Sequence, residues 1–185
     1  MLKNILKDAE TRMTKAVESV RQELIKIRTG KATTQLLDTV KVDAYGTMMP
    51  LQQVGTVSVP DPHSITVTPW DKGMLHPIEK AILTANLGLN PSNEGTMIRV
   101  PIPPLNEERR RELVKLIKKF GEEGKVAIRN IRRDGNEHLK KAEKEEHFSE
   151  DERKRGEQEI QKNTDKFIKD IDGLLAAKEK EIMEV

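Results

Sequence analysis

The sequence predicts an α+β fold, in which a small β/α/β domain is inserted into a long three-helix bundle. Three stretches place apolar residues at alternating spacings of three and four, which is the seam of a helix packed on other helices. Residues 31–103 instead alternate at period two and are rich in turn residues. We therefore assign residues 1–30 and 104–185 to a discontinuous bundle domain, and residues 31–103 to the inserted domain.

The three long helices are predicted over residues 2–28, from about 105 to 144, and from 150 almost to the last residue. Gly30 lies just past the first helix, where a C-terminal cap is expected. Prolines lie just before the second helix, and because proline disrupts the interior of a helix, the helix is expected to begin after them. Ser149 and Glu152 form a capping box at the start of the third. The short connection around residues 146–148 predicts an antiparallel hairpin of the second and third helices.

Five glycines interrupt these helices, and each should cost up to about 1 kcal/mol relative to alanine. We interpret them as points of close helix approach rather than as hinges. They are Gly121, Gly124, Gly135, Gly156 and Gly173.

The inserted domain is predicted to hold strands at residues 40–45, 54–59, 65–68 and 97–100, with a short helix at 76–86. Tyr45 and Trp70 are expected to pack inside this domain. Gly30 lies at one crossing between the domains and Pro103 and Pro104 at the other. Because glycine frees φ and proline fixes it, these residues predict a hinge of limited freedom. Rigid packing of the two domains is the alternative.

Composition excludes several classes of protein. The 185 residues contain no cysteine, which excludes disulfides, cysteine-ligated zinc and a thiol nucleophile. No apolar run is long enough to cross a membrane, and the first residues lack the apolar stretch of a signal peptide, so a cytoplasmic protein is expected. The four histidines have no metal-ligand spacing, and no catalytic motif is present. The sequence predicts a protein that is not an enzyme and holds no metal.

Charge is distributed unevenly among the helices. Residues 1–30 and 104–147 each carry a net charge of +3, whereas residues 148–185 carry −3. The second bundle helix places a group of cations on one face that contains no acid, and the guanidinium of Arg can bind phosphate through two parallel hydrogen bonds. In chain order this is the third of the four predicted helices, α3 (from about 105 to 144), and we call the group the α3 stripe. It consists of Lys125, Arg129, Arg132 and Arg133, with Asn136. It favours RNA or DNA binding; a solvated face paired with the third helix is the alternative.

The residues also carry a family resemblance. Residues 26–32, 45–47, 87–91, 98–105, 107–110 and 129–134 match, in order, the motifs of bacterial ribosome recycling factors. The chain resembles that family over its whole length. The resemblance implies an L-shaped monomer that binds the post-termination ribosome across the A and P sites of the large subunit. With elongation factor G and GTP, it would split the ribosome into subunits and free messenger and transfer RNA.

The resemblance also implies roles for individual residues. Arg129 and Arg132 match positions that contact large-subunit rRNA, Arg133 belongs to the same motif, and Arg28 matches an arginine near the joint. Gly30, Pro103 and Pro104 match the hinge. No cofactor is implied, since GTP is used by the partner. Lys31 and Gly135 depart from the arginine and alanine common in the family.

A helical holdase chaperone similar to prefoldin is the second hypothesis. It requires exposed apolar residues at the tip formed by residues 146–148, where only Phe148 is apolar.

Overall fold

The computed structural model describes residues 1–145 and 147–184, which form two compact units. One unit consists of Met1–Arg28 together with the chain from Asn106 onward, and the other of Thr29–Leu105. The first holds the long helices α1 (Leu2–Ile25), α3 (Glu107–Lys144) and α4 (Glu150–Met183). The second holds the short helix α2 (Leu75–Thr84) and all the strands. The expected combination of a helical bundle and a small sheet domain is confirmed.

The bundle core follows the predicted seams with local shifts. Ala9, Met13, Val20 and Leu24 of α1 are buried as expected, and Val17 joins them. Leu116 of α3, which the seam placed inside, is instead exposed. It lies next to the fully buried Ile117, and a helix turns by about 100° per residue, so both cannot face the same seam.

Helix α1 ends earlier than predicted. Its C-cap is Lys26, so Ile27 and Arg28 lie outside the helix. Gly30 is therefore not the cap of α1. It adopts a φ of +75°, and a Cβ at this position would lie 2.9 Å from Cγ of Leu105, so it brings two chain segments into close approach within the second unit.

The start of α4 is the predicted capping box. The hydroxyl of Ser149 accepts a hydrogen bond from the backbone N–H of Glu152, whose carboxylate accepts one from the N–H of Ser149. Arg153 in the same turn donates a hydrogen bond to Glu157, 2.8 Å away on α4, which is the main cause of the raised pKa of its guanidinium. A second ion pair, with Glu143 of α3, ties α4 to the end of α3.

Four of the five helical glycines lie at close contacts between helices, as predicted. A Cβ on Gly121 would lie 2.3 Å from Leu175, and one on Gly124 would lie 2.3 Å from Cγ2 of Val20. Gly135 and Gly156 are similarly close to neighbouring side chains. Gly173 is the exception, because outside its own stretch of helix backbone no described atom lies within 4 Å of its Cβ position. The packing interpretation is wrong for that residue.

The second unit is built on two antiparallel sheets. The first is a hairpin of β1 (Lys41–Ala44) and β2 (Thr47–Pro50), and the second has the order β3 (Gly55–Asp61), β4 (Ser64–Pro69), β6 (Ile98–Pro101), β5 (Ser92–Asn93). These strands and α2 enclose a core that includes the fully buried Ile65, Val67, Ile78 and Ile98. β2 and β5 were not predicted, because neither shows apolar alternation.

Tyr45 and Trp70 do not pack in that core. Their side chains are 81% and 71% exposed, so the prediction is wrong for both. Tyr45 and Gly46 form the two-residue turn between β1 and β2, and both have positive φ, which is unusual for a bulky residue. The Tyr45 hydroxyl donates a hydrogen bond to Asp71, which holds the exposed ring in place and lowers the pKa of the Asp71 carboxyl.

Candidate nucleic-acid interface

Helix α3 holds the predicted α3 stripe on a regular scaffold. The helix has 38 residues, and the side chain of Asn106 caps its first turn by accepting a hydrogen bond from the N–H of Arg109. At 1.5 Å per residue, the cations from Lys125 to Arg133 span about 12 Å of helix axis. None of them lies among the buried residues of the α3 seam, which include Ile128 and Ile131. The helix therefore brings these side chains to one side, as the spacing predicted.

The cations differ in the partners that they contact. Nζ of Lys125 lies 2.5 Å from a carboxylate oxygen of Asp172 on α4, and the side chain is only 19% exposed. Arg129 lies 3.0 Å from Glu122 of its own helix. Arg132 donates a hydrogen bond of 3.2 Å to the amide oxygen of Gln161 on α4. Because Lys125 is both paired and largely covered, it presents the least charge to an external ligand.

The stripe is thus not free of acids, and that part of the prediction is wrong. Glu122 lies seven residues before Arg129, and two helical turns place those positions on nearly the same face. The spacing alone could have revealed this pair. Asp172 is 47 positions from Lys125 along the sequence, and only the packing of α3 on α4 brings the two together. The predicted pairing with the third helix exists, but it consists of one ion pair, Lys125 with Asp172, and one hydrogen bond, Arg132 to Gln161.

Arg133 and Asn136 complete the stripe. Arg133 is exposed and forms no ion pair or side-chain hydrogen bond with the described residues. The side-chain oxygen of Asn136 is buried and lacks a hydrogen-bond partner within the part of the chain that the structure describes. The stripe therefore presents the guanidinium of Arg133 without competition, while Arg129 and Arg132 hold exchangeable surface partners.

The other predicted site residues lie on different elements. Arg28 is exposed at the last position of its segment of the bundle unit, beyond the end of α1. Pro103 and Pro104 are exposed and lie just before Leu105, which Gly30 approaches closely. The two chain crossings are thus 28–29 and 105–106.

Groups able to hold a metal ion are absent from the described residues. Over residues 1–145 and 147–184, no three His, Asp or Glu side chains come together in a group that could hold a metal ion. No described helix is both long and apolar enough to cross a membrane.

Comparison with known proteins decides the family. A model of the ribosome recycling factor family matches residues 20–183. The chain belongs to the ribosome recycling factor family. It is 58% identical to the ribosome-recycling factor of Symbiobacterium thermophilum and 53% identical to that of Carboxydothermus hydrogenoformans, each over the full length of both chains.

Solved structures of the ribosome recycling factor family agree with this assignment. A solution structure of the ribosome recycling factor is 48% identical, with a TM-score of 0.77 over all of this chain and 98% of that one. A second match is a model of the T. thermophilus ribosome recycling factor, which was built with E. coli elongation factor G bound to the E. coli post-termination complex. That chain is 48% identical, with a TM-score of 0.63 over the whole of both chains.

Membership in the ribosome recycling factor family settles two predictions. The family consists of translation factors that are not enzymes, so the prediction of a non-enzymatic role in translation is confirmed. The holdase hypothesis finds no support among these relatives. The tip on which it depended includes Glu146, which lies outside the described residues.

Proposed function

We propose that this chain recycles ribosomes after termination. It binds the post-termination complex and, together with elongation factor G and GTP, separates the two ribosomal subunits in the cytoplasm. The observation that carries the proposal is the match of residues 20–183 to the family, together with a structural relative placed on a post-termination complex beside elongation factor G. The chain itself needs no cofactor, because the partner factor binds and hydrolyses GTP.

Sedimentation tests this proposal directly. Post-termination ribosomes are incubated with the chain, elongation factor G and GTP, and then separated on a sucrose gradient. The proposal predicts that the intact-ribosome peak moves into the subunit peaks only when all three are added. An intact peak in the complete mixture would contradict the proposal, provided that a recycling factor from the source of the ribosomes splits them under the same conditions.

The rRNA contact is proposed to lie on the α3 stripe, near the A and P sites of the large subunit. The arginines are suited to phosphate because their planar forks can donate paired hydrogen bonds. Arg133 has no described partner to release, and Arg132 would give up only one neutral hydrogen bond to Gln161. Lys125 would have to break a short ion pair and expose a covered side chain, so we assign it the smallest share.

A matched pair of variants separates these contributions. Arg133→Gln should weaken binding to large subunits and lower the slope of log affinity against log salt by about 0.7–0.9, the effect of one lost phosphate contact. Lys125→Gln removes the same charge but should change that slope much less, because Asp172 already holds its ammonium group. Equal effects of the two variants, or no effect of either, would contradict the proposed contact.

The joint between the two units is proposed to act as a hinge while the chain remains a monomer. Gly30, with its left-handed φ, lies beside one crossing, and Pro103 and Pro104 lie beside the other. The absence of cysteine allows one dye to be placed on each unit, at Lys80→Cys and at Glu159→Cys, an exposed position outside both the α3 stripe and the cations of α4 discussed below. The hinge predicts that the distribution of energy transfer between the dyes shifts on the ribosome when elongation factor G is added. A single, unchanged distribution would contradict it.

A further inference from the structure

Helix α4 carries a second cationic surface, which its overall acidity conceals. Residues 148–185 have a net charge of −3. Projection of α4 at 100° per residue nevertheless shows one outward face that is rich in cations, if the face is taken as the positions within about 40° of Lys162. Between residues 155 and 180 this face contains no acid. We call it the α4 stripe; its cations are Arg155, Lys162, Lys166, Lys169 and Lys180. The uncharged positions between them are Gln158, Gly173 and Ala176, and all eight residues are exposed.

The cations of the α4 stripe differ from the other charges of the same helix. Elsewhere on α4, opposite charges are spaced for pairing, as in Lys154 with Glu150 at 2.8 Å and Arg153 with Glu157 at 2.8 Å. No cation of the stripe forms an ion pair or side-chain hydrogen bond with a described residue. Lys166 lies over the ring of Phe167, with Nζ 5.4 Å from its centroid. Lys162 and Lys166 are like charges four residues apart, a small cost that a bound polyanion would relieve.

Gly173 provides an independent observation at the same surface. A glycine inside a helix costs about 1 kcal/mol relative to alanine, and the other four helical glycines are explained by tight packing. Gly173 has open space around it, so no contact within the described chain requires it. It lies in a groove of about 700 Å³ whose charged lining consists of three cations, Arg21, Lys166 and Lys169, and one acid, Asp170. The missing side chain gives an external ligand close access to the helix between cations.

From these observations we infer that the α4 stripe binds the phosphate backbone of RNA, as a second RNA surface of the bundle on a different helix from the α3 stripe. The five cations extend over about 38 Å of helix axis, and four of them, from Arg155 to Lys169, over about 21 Å. That length matches a run of phosphates rather than a single anion, since a nucleic-acid duplex carries a charge roughly every 1.7 Å of its axis.

An acidic protein is the competing ligand, and the composition of the stripe disfavours it. The cores of protein interfaces are enriched in aromatic and apolar anchors and depleted in lysine. The exposed face of the α4 stripe has four lysines and no aromatic or large apolar residue. Lysine-dominated contacts of this kind position a backbone without reading bases, so binding should be independent of RNA sequence.

Binding of a labelled 20-base-pair RNA duplex, followed by fluorescence anisotropy, tests the inference without ribosomes. All measurements use a chain carrying Arg129→Gln, Arg132→Gln and Arg133→Gln, so that the only cation left in the α3 stripe is Lys125, which is paired with Asp172. Adding Lys162→Gln and Lys166→Gln should then lower the log–log salt slope by about 1.4–1.8. If the two chains bind the duplex equally at 1 M salt, this difference in slope corresponds to about a 25- to 60-fold loss of affinity at 0.1 M salt. Lys72→Gln with Lys80→Gln, in the other unit, removes the same charge and should change binding little.

Two further measurements sharpen the test. Gly173→Gln adds bulk without charge in a space that the chain leaves open, so it should weaken duplex binding at an unchanged salt slope and leave the thermal midpoint no lower. Competition by poly-L-glutamate at matched charge should be much weaker than competition by unlabelled duplex.

Any of three results would overturn the inference: no duplex binding by the background chain, an equal loss in the Lys72 and Lys80 control, or equal competition by poly-L-glutamate. Because the test uses isolated RNA, its failure leaves the splitting of ribosomes by the wild-type chain untouched. Conversely, a chain that binds duplex through α4 but fails to split ribosomes would contradict only the proposed recycling function.

Discussion

Adding one methyl group at Gly124 or at Gly173 should change the stability of the bundle in opposite directions. At Gly124 the new Cβ would lie 2.3 Å from Cγ2 of Val20 and 3.1 Å from Cδ1 of Ile171. At Gly173 it would meet no atom within 4 Å. The two substitutions are chemically identical and both lie inside long helices. Their difference therefore isolates the contribution of interhelical packing.

The magnitudes follow from two opposing effects. Alanine gains about 1 kcal/mol over glycine in a helix interior, and this gain applies at both sites. Overpacking a well-filled core costs about 1–3 kcal/mol. Val20 is buried and β-branched, so its side chain cannot rotate away easily, and the cost at Gly124 should lie near the upper end. We expect Gly124→Ala to lower the free energy of unfolding by about 1–2 kcal/mol and Gly173→Ala to raise it by about 1 kcal/mol.

Urea unfolding followed by circular dichroism at 222 nm measures both changes. The three bundle helices contribute 24, 38 and 34 helical residues against 10 for α2, so this signal reports mainly on the bundle. The double variant Val20→Ala with Gly124→Ala should lose less stability than the sum of its single variants, since the added methyl group then has room. If Gly124→Ala proved as stable as Gly173→Ala, the close-packing explanation would be refuted.

The remaining predictions concern one cap and two turns. Ser149→Ala should lower the free energy of unfolding by about 1 kcal/mol in the urea experiment, because it removes the capping box; an unchanged value would contradict that role. Gly30→Ala should lose more stability than Gly88→Ala, since both have positive φ but only Gly30 has a close neighbour, at 2.9 Å; equal losses in thermal unfolding would exclude the contact. Tyr45→Phe should raise the pKa of Asp71 toward its ordinary value in an NMR titration. The wild-type hydrogen bond lowers that pKa, so its contribution to stability is present above the unfolded-state pKa near 4 and is lost as the pH falls through the folded-state pKa; an unshifted pKa in the variant would contradict the bond.

The sequence was sufficient for the features that depend on local spacing. Apolar residues at intervals of three and four placed most of the bundle seams, and the Ser149 capping box was predicted residue by residue. Adjacent seam candidates were the weak point, as with Leu116, because the pattern cannot say which of two neighbours faces the core. β2 was missed because Met48 and Met49 are both apolar neighbours in a strand whose two faces are largely exposed.

Features that depend on packing between distant segments were beyond the sequence. The close approaches of Gly121 to Leu175 and of Gly124 to Val20 join different helices, and only the assembled bundle shows which side chains meet there. The pairing of Lys125 with Asp172 likewise requires α3 and α4 to be placed side by side. The α4 stripe was accessible from sequence, however. The helical projection that predicts the α3 stripe also predicts the α4 stripe when it is applied to α4, although the net charge of that helix is negative.

The central claim is that this chain splits the post-termination ribosome, and light scattering measures that event most directly. Post-termination ribosomes are mixed rapidly with the chain, elongation factor G and GTP, and the fall in scattered light reports separation of the subunits. We predict a fall whose rate rises with the concentration of the chain and which disappears when any one component is omitted. A constant signal in the complete mixture, with ribosomes that a recycling factor from their own source does split, would contradict the claim.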